Sequence, residues 1–282
     1  MYRLLDCGNQ KKVEMLGDYK VIRPCPQAMW DIADPKYWEN AHSEFITGTG
    51  ENGYWKNLMP EPDVKRKRAG QGVPDDWEIE SSDGIKWVIE PNEYGNIGVF
   101  TEHWMYGPKL SNNFKKNGKI LNVFTYSGSS CVSLAKQGYK ITAVDSSKAA
   151  MDRYTANLDN NDISREGQRF ILEDAIKFIN REVRREAKYD GIMIDAPSYG
   201  RGTKGEVFKI EDDLIQLLRA GGDLLSKDGT MVVTLHSPRF TPAILKIMMQ
   251  KMFPTRSVET SEIVQECESG VGLPSGFLVM IS

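Results

Sequence analysis

Histidine is scarce in this chain, cysteine is unpatterned, and long apolar runs are missing. Three histidines in 282 residues are too dispersed to complete a zinc set. The four cysteines, Cys7, Cys25, Cys131 and Cys267, show no Cys-x-x-Cys spacing. Neither a metal nor a disulfide framework is expected. No stretch approaches the roughly 20 apolar residues of a membrane span, and the amino terminus lacks a signal-peptide core, so a cytoplasmic protein with no membrane partner is expected. A net charge of −3 gives no global attraction to nucleic acid, which leaves any RNA partner to a local basic patch. Oligomeric state is not legible.

What is present is a run of strand and helix signals from residue 120 onward. Ile120-Leu121-Asn122-Val123 reads as a buried parallel strand. It breaks into the loop Phe124-Thr125-Tyr126-Ser127-Gly128, and a helix is expected from Ser129. The free N–H groups of a helix start, with a glycine where a side chain would block a ligand, form a binding device. Lys140-Ile141-Thr142-Ala143-Val144 is a second strand, ending in Asp145-Ser146-Ser147 before a helix over 148–160. An acid at that strand tip accepts the hydroxyls of a ribose, which points to an adenosine-bearing ligand. The first loop lacks the Gly-x-Gly-x-x-Gly spacing that a pyrophosphate needs, because Tyr126 and Ser129 stand where glycines would. S-adenosylmethionine is therefore the expected cofactor rather than a dinucleotide.

The alternation continues. Gln168 to Leu172 is a third strand, followed by Glu173-Asp174 and a helix from Ala175 to Ala187. Asp174 is placed to meet an adenine amino group, and it is also a good N-cap. Tyr189 to Ile194 is a fourth strand running into Asp195-Ala196-Pro197-Ser198-Tyr199-Gly200-Arg201-Gly202. A carboxylate at the carboxyl end of a central strand sits where open α/β sheets bind ligands, and Pro197 holds Ala196 extended. Tyr199 offers a flat ring to a base. A helix over 209–225, a fifth strand from Thr230 to Leu235 ending in His236, a helix over 241–253 and two last strands over 257–264 and 277–281 complete the pattern. The expected fold is α/β: a Rossmann-like, seven-stranded class I methyltransferase domain over 106–282, preceded over 1–105 by a small α+β domain. Five of the six tryptophans precede Trp104, and Trp77 to Ile89 alternates as a hairpin around Ser81-Ser82-Asp83-Gly84. Lys65-Arg66-Lys67-Arg68 is either a phosphate grip or a solvated loop, and Tyr54, Trp55 and Trp77 are either stacking surfaces or core.

The motifs Asn122 to Gly128, Ala143 to Ser147, Asn157, Asp195 to Gly202 and Lys204 to Lys209 together resemble the class I methyltransferases related to large-subunit ribosomal RNA cytosine methyltransferases. The likeness covers roughly 87–282. It implies ribosomal RNA as partner and cofactor contacts from Phe124, Tyr126, Gly128, Asp145, Asp174 and Asp195. With these go Thr125, Ser127, Ser146 and Ala175 of the same strand-end loops, and the segment Gly98 to His103 beside the pocket. Ser198, Tyr199 and Arg201 are the expected substrate contacts. The chain departs from the family in three ways: it starts without room for an amino-terminal RNA-binding module, it has Ala196-Pro197 in place of a double proline, and no cysteine follows the fifth strand, where Leu235-His236-Ser237 stands. The covalent route to cytosine C5 needs a thiolate. Direct in-line transfer to a nitrogen or oxygen is therefore expected, with Asp195 and Pro197 orienting the acceptor and His236 taking a proton. A small-molecule or protein methyltransferase and a non-catalytic cofactor-binding module stay open as alternatives.

Overall fold

The structure is a computed structural model that describes residues 1–48, 52–59, 72–202, 205–237 and 239–282. The basic run Lys65 to Arg68 lies outside the described residues. The chain divides into two compact units, Met1–Glu102 with Val264–Pro274, and His103–Ile263 with Ser275–Ser282.

The first unit is built of strands. β1 (Tyr2–Gly8), β2 (Lys11–Leu16), β3 (Tyr19–Pro24), β4 (Ser43–Thr47) and β5 (Gly53–Asn57) form a five-stranded sheet in chain order. β6 (Trp77–Glu80) and β7 (Lys86–Ile89) form a separate antiparallel hairpin. Between Met1 and Glu102 the described residues form strands and a 3-10 turn over Pro35–Tyr37, with no α-helix among them. The cause is local. Asn9 and Gln10 take positive φ (51° and 61°) and turn β1 into β2, while Leu4, Leu5, Val13, Leu16, Val21 and Ile22 supply buried strand positions. Trp55 is also buried, with its indole N–H donating to the Asn92 carbonyl (2.9 Å), whereas Tyr54 is exposed.

The second unit is an open α/β sheet. In chain order it contains α1 (His103–Leu110), β8 (Lys119–Val123), α2 (Val132–Lys136), β9 (Lys140–Asp145), α3 (Lys148–Asn160), β10 (Arg169–Leu172), α4 (Ala175–Arg184) and β11 (Tyr189–Ala196). There follow β12 (Tyr199–Arg201), β13 (Val207–Lys209), α5 (Ile210–Leu224), β14 (Leu225–Leu235), α6 (Pro242–Met252), β15 (Val258–Glu266) and β16 (Gly272–Ile281). Seven strands lie in the order β10-β9-β8-β11-β14-β16-β15. The first five run parallel, and β16 pairs antiparallel with β14. Parallel strands covered on both faces are apolar throughout, and Leu121, Val123, Ile192, Ile194 and Val233 pack with Leu217 and Phe178 from the helices. β8 and β11 are neighbours from which the chain winds away in opposite directions. That topological switch opens a crevice at their carboxyl ends. Among the described residues no helix is long and apolar enough to cross a membrane.

Candidate active site

The loop after β8 is held in shape by its own side chains. Thr125 Oγ1 donates to the Asn122 carbonyl (3.0 Å) and accepts from Val144 N (3.0 Å), tying β8 to β9. Ser127 Oγ lies 3.0 Å from Ser129 Oγ, and Asn157 Nδ2 donates to the Ser127 carbonyl (2.9 Å). Both Thr125 and Ser127 are buried, so their side chains brace the loop. Phe124 and Tyr126 adopt positive φ (61° and 50°). Phe124 packs on Phe208 with ring centroids 5.0 Å apart. Gly128 (φ +80°) is required for a reason the sequence did not suggest: a Cβ there would lie 2.2 Å from the Tyr154 ring, so the obstruction is the protein's own packing. The helix expected from Ser129 begins only at Val132.

Asp145, ending β9, is already tied to both ends of the crevice wall. Its Oδ2 accepts from Tyr126 N (2.9 Å) and its Oδ1 from Ser147 N (2.8 Å). Burial pushes its pKa up while those N–H groups pull it down, and the net shift is upward. Ser146 lies half-buried beside it. Asp174 caps α4, its Oδ1 accepting from Lys177 N (2.9 Å), and Ala175 is buried behind it. Asp174 Oδ2 carries no hydrogen bond to another described residue, so capping leaves an acceptor over. Asp145, with backbone N–H partners at Tyr126, Ser146 and Ser147, still has acceptor capacity, since a carboxylate offers about four lone-pair sites. This set of acceptors fits the hydroxyls of a ribose and an adenine amino group, which donate.

Asp195 is the centre of the crevice. Its Oδ1 accepts from Thr234 Oγ1 (2.5 Å) on the neighbouring strand, where the two residues are in register. His103 Nε2 lies 3.2 Å from Oδ2, and His236 Nε2 lies 3.4 Å from Oδ1. Burial alone would raise the pKa of this carboxyl, but the imidazoles, His103 foremost, hold it far below the usual carboxylate range. The histidines, read from the sequence as too dispersed to complete a zinc set, are brought together in part. Two of the three converge on one carboxylate, because β11 and β14 end side by side and α1 starts with His103. These three side chains offer ligand atoms within 4.8 Å of one another, a set that could hold a divalent cation. Thr234 is the site residue that sequence reasoning missed; His103 ends the segment expected beside the pocket, but its contact with Asp195 is visible only in the fold. The signal for Thr234 was its position one residue short of the end of the strand beside Asp195.

The stretch after Asp195 is more ordered than the expected loop. β12 and β13 pair antiparallel, Tyr199 opposite Lys209. Pro197 is half-buried, and Ser198, Tyr199 and Arg201 are exposed. Arg201 Nε donates to Tyr199 Oη (2.7 Å), and its guanidinium stands 5.7 Å from the ring centre. Cys131 is not a nucleophile for this site: it is fully buried and burial raises its pKa to about 12.

Comparison with known proteins decides the family, since the S-adenosylmethionine-dependent methyltransferase family model matches residues 62–268. The chain belongs to this family. A relative of the methyltransferase, Ribosomal RNA large subunit methyltransferase K/L of Pseudoalteromonas translucida, is 31% identical over 159 residues. That match covers 56% of this chain but only 22% of the relative. Among solved structures, the SAM-dependent methyltransferase from Agrobacterium tumefaciens superposes with a TM-score of 0.88 at 29% identity, covering 99% of this chain and 89% of that one. SMU.776, solved in complex with SAH, shares the fold at a TM-score of 0.75 and 18% identity, over 99% of this chain and 74% of that one. The fold is α/β with the seven-stranded sheet of the class, and S-adenosylmethionine is the cofactor of the family.

Proposed function

We propose that the methyltransferase acts in the cytoplasm on a base of ribosomal RNA, at an atom that carries a proton to be lost. The observation behind this reading is the charged Asp195 carboxylate between two imidazoles, one buried (His103) and one exposed (His236). An exposed imidazole beside a fixed negative charge can take a proton from an incoming nitrogen or oxygen. No described cysteine is positioned to add to a pyrimidine ring, which favours direct transfer over the covalent route. The Pseudoalteromonas relative, a ribosomal RNA large subunit methyltransferase, supports ribosomal RNA as the substrate.

The cofactor, when bound, supplies an electrophilic methyl group on a sulfonium. Asp145 and Ser146 would hold its ribose and Asp174, with Ala175 behind it, the adenine, while the backbone of Phe124 to Gly128 lines the methionine end. Asp195 and Pro197 orient the acceptor. Ser198, Tyr199 and Arg201 reach the substrate: Tyr199 stacks on the base and Arg201 meets a phosphate.

The test is transfer of radiolabelled methyl from S-adenosylmethionine to total RNA and protein from cells lacking the gene, with Asp195→Asn as control. Label in one ribosomal RNA species that disappears with the variant supports the reading. Label confined to protein or small molecules, or none despite cofactor binding, would overturn it.

A further inference from the structure

We propose that the edge of the large sheet opposite Asp195, where the parallel strands begin, carries a second ligand site: a pocket for the phosphate and attached body of a nucleotide. Four adjacent strands start there, and each is entered through a cation. Arg169, Lys140 and Lys119 are the first residues of β10, β9 and β8, and Lys188 immediately precedes β11. Lys119 and Lys140 face each other in register. Like charges side by side on neighbouring strands repel, and no hydrogen bond or ion pair joins either ammonium to another described residue.

The acids near this edge are otherwise engaged. Glu182, buried, accepts from Tyr189 Oη (2.8 Å) and from Arg185 Nη1 (3.2 Å), and stands 3.8 Å from Arg169 Nη1. Asp190 accepts from the backbone N–H of Lys119 (3.0 Å) and lies 3.8 Å from Lys115 Nζ. Lys188 Nζ donates to the Asp223 carbonyl (2.6 Å), which fixes its position but not its charge. Glu182 lines the cavity and offsets Arg169, so the surplus of positive charge rests on Lys119, Lys140 and Lys188, which have no carboxylate partner among the described residues.

Between these residues lies a cavity of about 410 Å³, lined by all four cations. That is within the roughly 300–1,000 Å³ of small-molecule sites and far more than one phosphate fills. Its floor is braced: Gln168 Oε1 accepts from Ile141 N (3.0 Å) and Nε2 donates to the Tyr139 carbonyl (3.0 Å). Tyr189, Ala187 and the aliphatic stems of the lysines give the walls an apolar part. An anion carrying a sugar and a base matches both the charge and the volume. It can arrive as a free nucleotide or as one residue of an RNA strand, and the pocket stands whether or not RNA is the methylated substrate.

The test is titration calorimetry of the protein with its cofactor site saturated by S-adenosylhomocysteine, so that adenosine cannot bind there. The probes are 5′-AMP, a short single-stranded RNA and inorganic phosphate, each against wild type and the double variant Lys119→Gln/Lys140→Gln. Unchanged S-adenosylhomocysteine affinity establishes that the variant is folded. The variant is expected to bind AMP or RNA about tenfold more weakly, with the salt slope for RNA shallower by ~0.7 per lysine. Binding of AMP identifies a free nucleotide as sufficient, and binding of RNA alone identifies a phosphodiester in a strand; both support the site. Inorganic phosphate bound as tightly as AMP and RNA, no binding by wild type, or equal binding by wild type and variant overturns it. Methyl transfer is not read in this experiment, so its outcome is separate from that of the proposed reaction.

Discussion

Glu14 in the first unit and Asp195 in the second are both carboxylates drawn below their ordinary pKa by neighbouring cations, and the identity of those cations separates structure from chemistry. Glu14 is fully buried, with Arg23 Nε at 2.6 Å, Arg23 Nη2 at 3.0 Å, Lys12 Nζ at 3.0 Å and Tyr2 Oη at 3.0 Å. Burial would raise its pKa, but Arg23 and then Lys12 bring it down to about 2. Guanidinium and ammonium keep their charge at every working pH, so this cluster has one state. Asp195 is held by two imidazoles, side chains able to accept and release a proton, and one of them is exposed. A carboxylate closed by fixed charges stabilises a fold; one closed by imidazoles in a crevice can take part in proton transfer. The sharpest break of the comparison is Asp195→Asn. Methyl transfer is expected to fall at least ~10³-fold, from the loss of both orientation and proton acceptance, in protein that still unfolds cooperatively. Residual activity above a tenth of wild type would remove Asp195 from the chemistry.

Glu14→Gln should do the opposite. It leaves Arg23 charged and buried without its partner, a change that costs about 3–5 kcal/mol, while turnover per folded molecule stays the same. The pH dependence has a fixed sign. Because the folded pKa of Glu14 is depressed from 4.5 to about 2, its stabilisation is fully present above the unfolded value and is lost as pH falls through the folded one. The difference in unfolding free energy between wild type and Glu14→Gln is therefore flat at neutral pH. It shrinks between pH 4.5 and about 2 by on the order of 3 kcal/mol. Denaturant unfolding at a series of pH values measures it, and a difference that grows on acidification would contradict the assignment.

The two units also differ in how much of each can be read from sequence. In the second, long apolar strands alternate with capped helices, so α3, α5 and α6 and the acids at the tips of β9, β10 and β11 are legible from period and position. β12 and β13 are not: three residues each, Tyr199-Gly200-Arg201 and Val207-Phe208-Lys209, are too short for alternation to register. In the first unit the turn between β1 and β2 is Asn9-Gln10, with both residues at positive φ. Gln10 occupies a position that hairpins usually give to glycine, so the strongest local hairpin signal is missing. His236 is legible from its place at the end of the fifth strand, whereas the part His103 plays is not: only the fold brings its imidazole to Asp195. The same holds for Cys7 and Cys267, distant in sequence yet with sulfurs 3.5 Å apart in one apolar cluster. Local pattern specifies elements; convergence of single residues at strand ends is set by topology.

The smaller predictions refine the Asp195 half of the comparison. If His236 accepts the proton, His236→Asn should slow transfer about a hundredfold, and the rise in rate with pH that follows the freeing of an imidazole should vanish. A pH profile parallel to wild type would leave His236 a structural partner only. The least expected effect belongs to Tyr199, which is 49% exposed and held by Arg201 Nε at 2.7 Å. A ring that stacks on a base contributes to binding in ground and transition state alike, so Tyr199→Ala should raise KM for RNA about tenfold and leave kcat nearly unchanged. Tyr199→Phe keeps the stacking face and loses only the hydrogen bond from Arg201, so its KM should stay within about threefold of wild type. If the Phe and Ala variants behave alike, the hydroxyl and its arginine, rather than the ring, are what the substrate meets. If kcat falls with the alanine variant while KM holds, the β12–β13 hairpin is shaping Asp195 instead of holding RNA.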